Sequence, residues 1–255
     1  MEKQLGVAFI VLAIAQCSAF GQVGHTPATE AGKPIAEDFY DDKPFDVNLF
    51  NIPANYKGQN ILRLYDALKA EFGPKTEFET TAAYQTRINS AKTKVLFGSL
   101  TAQSVFAFSV DLKSSVQYEA DAQILKVSHY LDKGPFDLKR VEYWVALPSE
   151  QRSSKITGFY TGENAYGAKR EVKKLLTQVC KLLFMNEEEF AKQRIIRFGV
   201  QMSPEKAQTV KPNLKLLVIY TLTAPFVKDD SHYSSATIDN PVEEATIYYY
   251  VCATM

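Results

Sequence analysis

Apolar residues recur at the helical period in one stretch near the start of the folded region. From Asn60 to Phe72, the residues Ile61, Leu64, Tyr65, Leu68 and Phe72 share one face, which predicts an amphipathic helix. Asn60 supplies an N-cap, and Gly73-Pro74 supplies a stop. Thr76 and Glu79 then stand at capping-box spacing, and Phe78, Thr81, Tyr84, Ile88 and Ala91 share a face, which predicts a second helix beginning at Thr76. The pair reads as a helical hairpin that needs another surface to cover it.

From Val95 the period changes to two. Alternating sets follow in turn: Phe106, Phe108, Val110, Leu112; Val141, Tyr143, Val145, Leu147; and Ile196, Phe198, Val200, Met202. Shorter strands are expected at Val116–Ala120, Gln123–Tyr130 and Lys155–Tyr160, with Asp121 and Ala122 turning a hairpin. Leu214–Leu222 is apolar on both faces and reads as a central strand, and Thr246–Ala253 closes the chain as another. Ser203-Pro204 opens a short helical turn to Thr209. Glu171–Phe184 fits helix and strand alike. The fold class expected is α+β, an N-terminal helical hairpin packed on a mostly antiparallel sheet or open barrel, in a single domain over residues 57–255.

The chain begins differently. Lys3 precedes the apolar run Leu5–Ala15, and small residues at Cys17 and Ala19, or at Ala19 and Gly21, permit cleavage before Phe20 or Gln22. Residues 1–21 therefore read as a secretory signal peptide; the alternatives are a lipoprotein acylated at Cys17 and a buried helix. The run is too short to span a bilayer as a helix, and the mature chain is expected to carry no transmembrane segment. Residues 22–56, punctuated by Pro27, Pro34, Pro44 and Pro53, read as a linker or extended arm, and Phe39, Tyr40, Phe45, Val47, Leu49 and Phe50 give its second half something to pack with.

Composition narrows the partners. Lysine plus arginine equals aspartate plus glutamate, 29 against 29, without a basic stripe to follow a phosphate backbone, so nucleic acid is excluded as the expected partner. With 46% apolar residues the chain can build a core without a metal. Export would place the two cysteines left after cleavage, Cys180 and Cys252, in an oxidising compartment, where a disulfide between them is expected; two separate buried thiols are the alternative.

The run Phe78-Glu79-Thr80-Thr81-Ala82-Ala83-Tyr84-Gln85-Thr86-Arg87, preceded by Pro53–Gly58, resembles a recurring block in exported bacterial proteins of unknown function. Gly162–Val172 (GENAYGAKREV), Met202–Pro212 (MSPEKAQTVKP) and Asp239-Asn240-Pro241 are similar in kind and order to that group. The resemblance attaches no activity. It implies a fold in which GENAYG lies between paired strands, and on that ground Glu171–Phe184 is read as strand.

Candidate chemistry is sparse. His25, His129 and His232 stand apart from any metal-ligand spacing, so no metal or other cofactor is expected. Ser203-Pro204-Glu205-Lys206 matches S-x-x-K but lacks the partner motifs of penicillin-recognising enzymes, and helix capping accounts for it. Gly158, Gly162 and Gly167 suggest a hairpin turn, with Asn164 or Gly162 left-handed, in place of a phosphate loop. Glu79 and Arg87 are too far apart in sequence for an i,i+4 pair, Glu187–Glu189 reads as a solvated run, and Tyr248, Tyr249 and Tyr250 must divide between two faces of a strand.

The sequence thus points to a periplasmic or secreted protein with no catalytic constellation, most simply a non-catalytic binding or structural module whose partner is another envelope protein. The alternatives are a hydrolase of envelope polymers or peptides, with carboxylates or a Ser–His pair gathered from separate strands, and a small-molecule carrier if the sheet closes around a cavity.

Overall fold

The computed structural model describes residues 9–12, 38–49, 52–53, 55–112, 115–133, 145–184 and 195–254. The strands are β1 (Phe9–Leu12), β2 (Phe39–Tyr40), β3 (Tyr56–Gly58), β4 (Val95–Phe97), β5 (Leu100–Thr101), β6 (Val105–Asp111), β7 (Val116–Glu119), β8 (Ile124–Tyr130), β9 (Asp132–Lys133), β10 (Val145–Glu163), β11 (Lys169–Phe184), β12 (Ile195–Gln201), β13 (Lys215–Ser234) and β14 (Val242–Thr254). Among the described residues three α-helices join them: α1 (Ile61–Glu71), α2 (Thr81–Ala91) and α3 (Pro204–Val210).

The main sheet runs in the order β2-β3-β6-β13-β14-β11-β10-β9, with β1 on β13; β12-β8-β7 forms a smaller sheet and β4-β5 a hairpin. Strand-dominated architecture overturns the expected α+β class. The main sheet is mixed, because β11 and β14 run parallel from Lys173/Val242 to Phe184/Ala253, and it is open, not a barrel.

The expected N-terminal helical hairpin is absent as well, and the reason lies in the second helix. Helix α1 buries Ile61, Leu64, Tyr65 and Leu68 against the sheet, capped by Asn60, which accepts from the Arg63 amide at 2.9 Å. Helix α2 starts at Thr81, capped by Thr80, and buries Ala91 alone. Its supposed apolar face is built mostly from alanine, threonine and one tyrosine, and Phe78, placed on that face by sequence, is 93% exposed before the helix begins. Residues 72–80 also form a longer connection than a tight helical hairpin uses. Arg87 folds back over it, paired with Glu79 at 2.9 and 3.0 Å and donating to the carbonyls of Glu71, Gly73 and Pro74.

The core has two sides. Alternate residues of β6 and β13, among them Phe106, Phe108, Leu216, Val218 and Tyr220, join α1 and the smaller sheet in the larger cluster. Their neighbours Ala107 and Leu217 face the other way and are covered by Phe45, Ile52 and Tyr56. The segment before α1 therefore packs through Phe45, while Val47 and Leu49 stay exposed. Gln59 fixes this cover: it is fully buried, its Oε1 accepts from the Ala107 amide at 2.6 Å, and its Nε2 donates to the Lys43 carbonyl at 2.9 Å.

Cys180 and Cys252 form no disulfide. Cys180 pairs in register with Tyr249 and Cys252 with Leu183, three positions further along, which separates them by about 10 Å along the strands. They also face opposite ways: Cys180 joins the larger core, whereas Cys252 packs with Leu183 and Tyr250 on the far side. A bridge would need Cα atoms within about 7 Å on one face.

Candidate functional site

The two longest strand pairs end together. Because β11 and β14 are parallel, the turn between β10 and β11 and the connection between β13 and β14 emerge at the same end of the sheet, tied where the Lys173 amide donates to the Pro241 carbonyl at 3.0 Å. Between them lies an open cleft of about 490 Å³. One wall is Tyr160, Gly162, Glu163, Asn164, Ala168, Arg170 and Val172; the other is Ala236, Thr237 and Ile238.

Both walls are held by local chemistry. Asn164 turns the β10–β11 hairpin by accepting from the amides of Tyr166 and Ala168 at 3.0 and 2.9 Å, and Gly167 at φ +80° takes the left-handed position expected at Asn164 or Gly162. Opposite, the Thr237 hydroxyl accepts from the Asn240 amide at 3.0 Å, and the Thr237 amide donates to the Asn240 carbonyl at 2.9 Å.

On the Tyr160 side of the cleft, the Tyr160 hydroxyl donates to Glu243 at 2.9 Å, Lys174 pairs with Glu243 at 3.6 Å, and the Lys174 ammonium sits 5.1 Å from the Tyr160 ring centre. The Tyr160 hydroxyl, aided by Tyr233 and Lys174, holds the Glu243 carboxyl below its ordinary value, while hydrogen bonding to Glu243 and burial raise the Tyr160 phenol. Tyr166 on the turn is 95% exposed and Tyr233 is 57% exposed, which adds aromatic surface at this end of the sheet.

A second polar cluster clamps α1 to the sheet. Asp66 receives both terminal nitrogens of Arg152 at 2.7 and 2.9 Å; Tyr65 donates to Asp229; and Lys69 donates to Asp229 at 2.8 Å and to the Tyr65 hydroxyl at 3.0 Å. The Tyr249 ring lies between the Lys69 and Arg152 cations, 5.7 and 5.4 Å from its centre. Burial raises the Tyr65 phenol, and the hydrogen bonds to Asp229 and Tyr65 raise Lys69. Both shifts move away from neutral pH, opposite to what a general acid or base requires. The cluster is a clamp.

The residues singled out by sequence do not converge. His129 is buried on β8 with its Nδ1 3.4 Å from the Ser115 hydroxyl; His232 lies on β13 opposite Thr246; His25 and Glu187–Glu189 fall outside the described residues. Ser203 caps α3, its hydroxyl accepting from the Lys206 amide at 3.4 Å. Tyr249 faces α1 and the larger core, while Tyr248 and Tyr250 stack on the opposite face with ring centres 6.1 Å apart.

Among the described residues, no three His, Cys, Asp or Glu side chains gather as a metal site, and no helix is long and apolar enough to cross a membrane. Sequence reading missed Tyr160, Arg170, Ile238 and Glu243 as neighbours. The available signal was that GENAYG and Asp239-Asn240-Pro241 both resemble blocks of one group, and those blocks stand at the two walls. No protein-family model, curated protein or solved structure matches the chain.

Proposed function

We propose that this is an exported, non-catalytic binding module of the cell envelope, and that it holds its ligand in the cleft between the β10–β11 turn and the β13–β14 connection. The observation that carries the reading is the union of exposed aromatic surface with a cleft wall whose Tyr160 is already tied to Glu243 and Lys174. Such a site presents rigid contact area at little cost in ordering, which is what recognition of another macromolecule favours. Arg170 and Glu163 in one wall supply charge of both signs, and Val172 and Ile238, in opposite walls, supply apolar contact.

The reading is tested by placing a photo-crosslinking side chain at position 166, beside the cleft, and at position 78, an equally exposed aromatic position outside it, in the protein produced in its own cells. A specific adduct from position 166 and none from position 78 is expected. Adducts from position 78 alone would remove the cleft from the account.

A further inference from the structure

The first half of β13 has an edge that this chain fills with its own leader. Thr221 pairs with Val105 of β6 and with Thr254 of β14, so those two strands occupy opposite edges of β13. From Lys215 to Val218 the β6 edge stays occupied. The other edge, beyond the end of β14, is taken by β1, antiparallel, with Phe9 opposite Val218 and Leu12 opposite Lys215.

The slot is apolar on both faces. Leu216 and Val218 point into the larger core and Leu217 into the core beneath Tyr56, all of them buried. A strand lying alongside must therefore be apolar at consecutive positions, as Phe9-Ile10-Val11-Leu12 is. Without such a strand, alternate amides and carbonyls of a central strand would lie open along that edge, a template for pairing with another chain.

Cleavage before Phe20 or Gln22 removes the occupant. Residues 22–37, next after the cleavage sites, contain no four consecutive apolar residues and carry Pro27 and Pro34, so they offer no replacement strand. We propose that the cleaved chain receives at Lys215–Val218, by strand addition, an extended segment of another exported protein that is apolar at four consecutive positions and runs antiparallel to β13. The leader holds the place until it is removed. This inference rests on the export part of the proposed function and is independent of the cleft.

The test uses a synthetic peptide of residues 7–15 with a solubilising lysine tail, titrated into the chain beginning at Gln22, together with two versions N-methylated at Ile10 or at Val11. Neighbouring amides of a strand point to opposite sides, so one N-methyl version should bind about tenfold more weakly and the other about as well as the parent peptide. Absence of binding, or equal loss from both methylations, overturns the proposal. So does self-association of the chain that excludes the peptide, which would assign the slot to a second copy.

If the chain from Gln22 does not fold alone, amide exchange in the full chain decides. Ile10→Pro should speed exchange at the slot-facing amides of residues 215–218 by about a hundredfold or more and leave those facing β6 unchanged. Unchanged exchange throughout overturns the proposal. Intact mass of the exported protein reports leader removal separately, so a failure of the export reading is distinguishable from a failure at the slot.

Discussion

The Tyr160 hydroxyl and the Glu243 carboxylate meet at 2.9 Å from strands that are not neighbours, since β11 lies between β10 and β14. The contact fixes Tyr160 in its wall of the cleft. It also ties together two residues 83 positions apart in the chain.

Replacing Tyr160 with Phe keeps the ring over Lys174 and removes the donor. The Glu243 carboxyl, held low chiefly by that hydrogen bond, should then titrate closer to its ordinary value of 4.5. A carboxyl lowered on folding contributes stability that is fully present above its unfolded value and is lost as pH falls through its folded value. The wild type should therefore loosen at the cleft as pH falls below about 4.5, and Tyr160→Phe, with little of that contribution left to lose, should show a shallower dependence on pH over the same range. Carbon-detected NMR titration of Glu243 reads the shift directly; an unchanged titration would mean that Tyr160 does not set it.

Cys180 and Cys252 should both be thiols in the folded protein. Burial pushes the Cys252 thiol up to about 12, so alkylation of folded protein at pH 8 should be slow there. Unfolding without reductant should expose two reactive thiols if the leader is gone and three if it remains, because Cys17 lies within it. Mass spectrometry after labelling counts them, and a count of none without the leader, or of one with it, would establish a disulfide between Cys180 and Cys252.

Gly58 lies at φ +87°, and a Cβ there would stand 2.0 Å from the Ala107 carbonyl oxygen. Gly58→Ala should cost at least about 3 kcal/mol, since both the backbone and the neighbouring strand would have to move. Gln59→Leu should cost a comparable amount by leaving the Ala107 amide and the Lys43 carbonyl without partners, at about 1–3 kcal/mol for each buried group. Urea unfolding measures both. A loss below about 0.5 kcal/mol would show that the segment before α1 is not tied to β6 in this way.

The Tyr220 hydroxyl is buried without a hydrogen-bond partner among the described residues, and its ring stacks on Phe106. Tyr220→Phe keeps the ring and removes the unsatisfied group, so stability should rise by about 1 kcal/mol. A fall of that size in thermal or urea unfolding would show that the hydroxyl has a partner after all.

Local signals were legible where one element determines its own outcome. Helix α1 runs from Ile61 to Glu71 behind its Asn60 cap, α3 follows Ser203-Pro204, and β6, β8, β12 and the buried start of β13 lie where alternation or a continuous apolar run placed them. What was not legible depended on partners. Helix α2 carries capping signals at Thr76 and Glu79, yet Arg87 uses Glu79 to brace the loop, so the helix starts later and stays on the surface. The cysteines looked pairable because spacing says nothing about which face of a sheet a residue occupies; the parallel register of β11 and β14 decides that. The same register creates the cleft. Tyr160, Arg170 and Ile238 become neighbours only once two distant hairpin ends are brought side by side, and no short-range pattern encodes that.

The central claim is that the cleft binds an envelope component. Its most direct test is a crosslinking pulldown from the cell envelope with tagged wild-type protein, beside an Arg170→Glu, Ile238→Asp double variant shown by circular dichroism to be folded. The account predicts one component recovered at near-stoichiometric yield with the wild type and reduced at least about tenfold with the variant, the equivalent of about 1.4 kcal/mol of binding energy. Equal recovery by both proteins would contradict it.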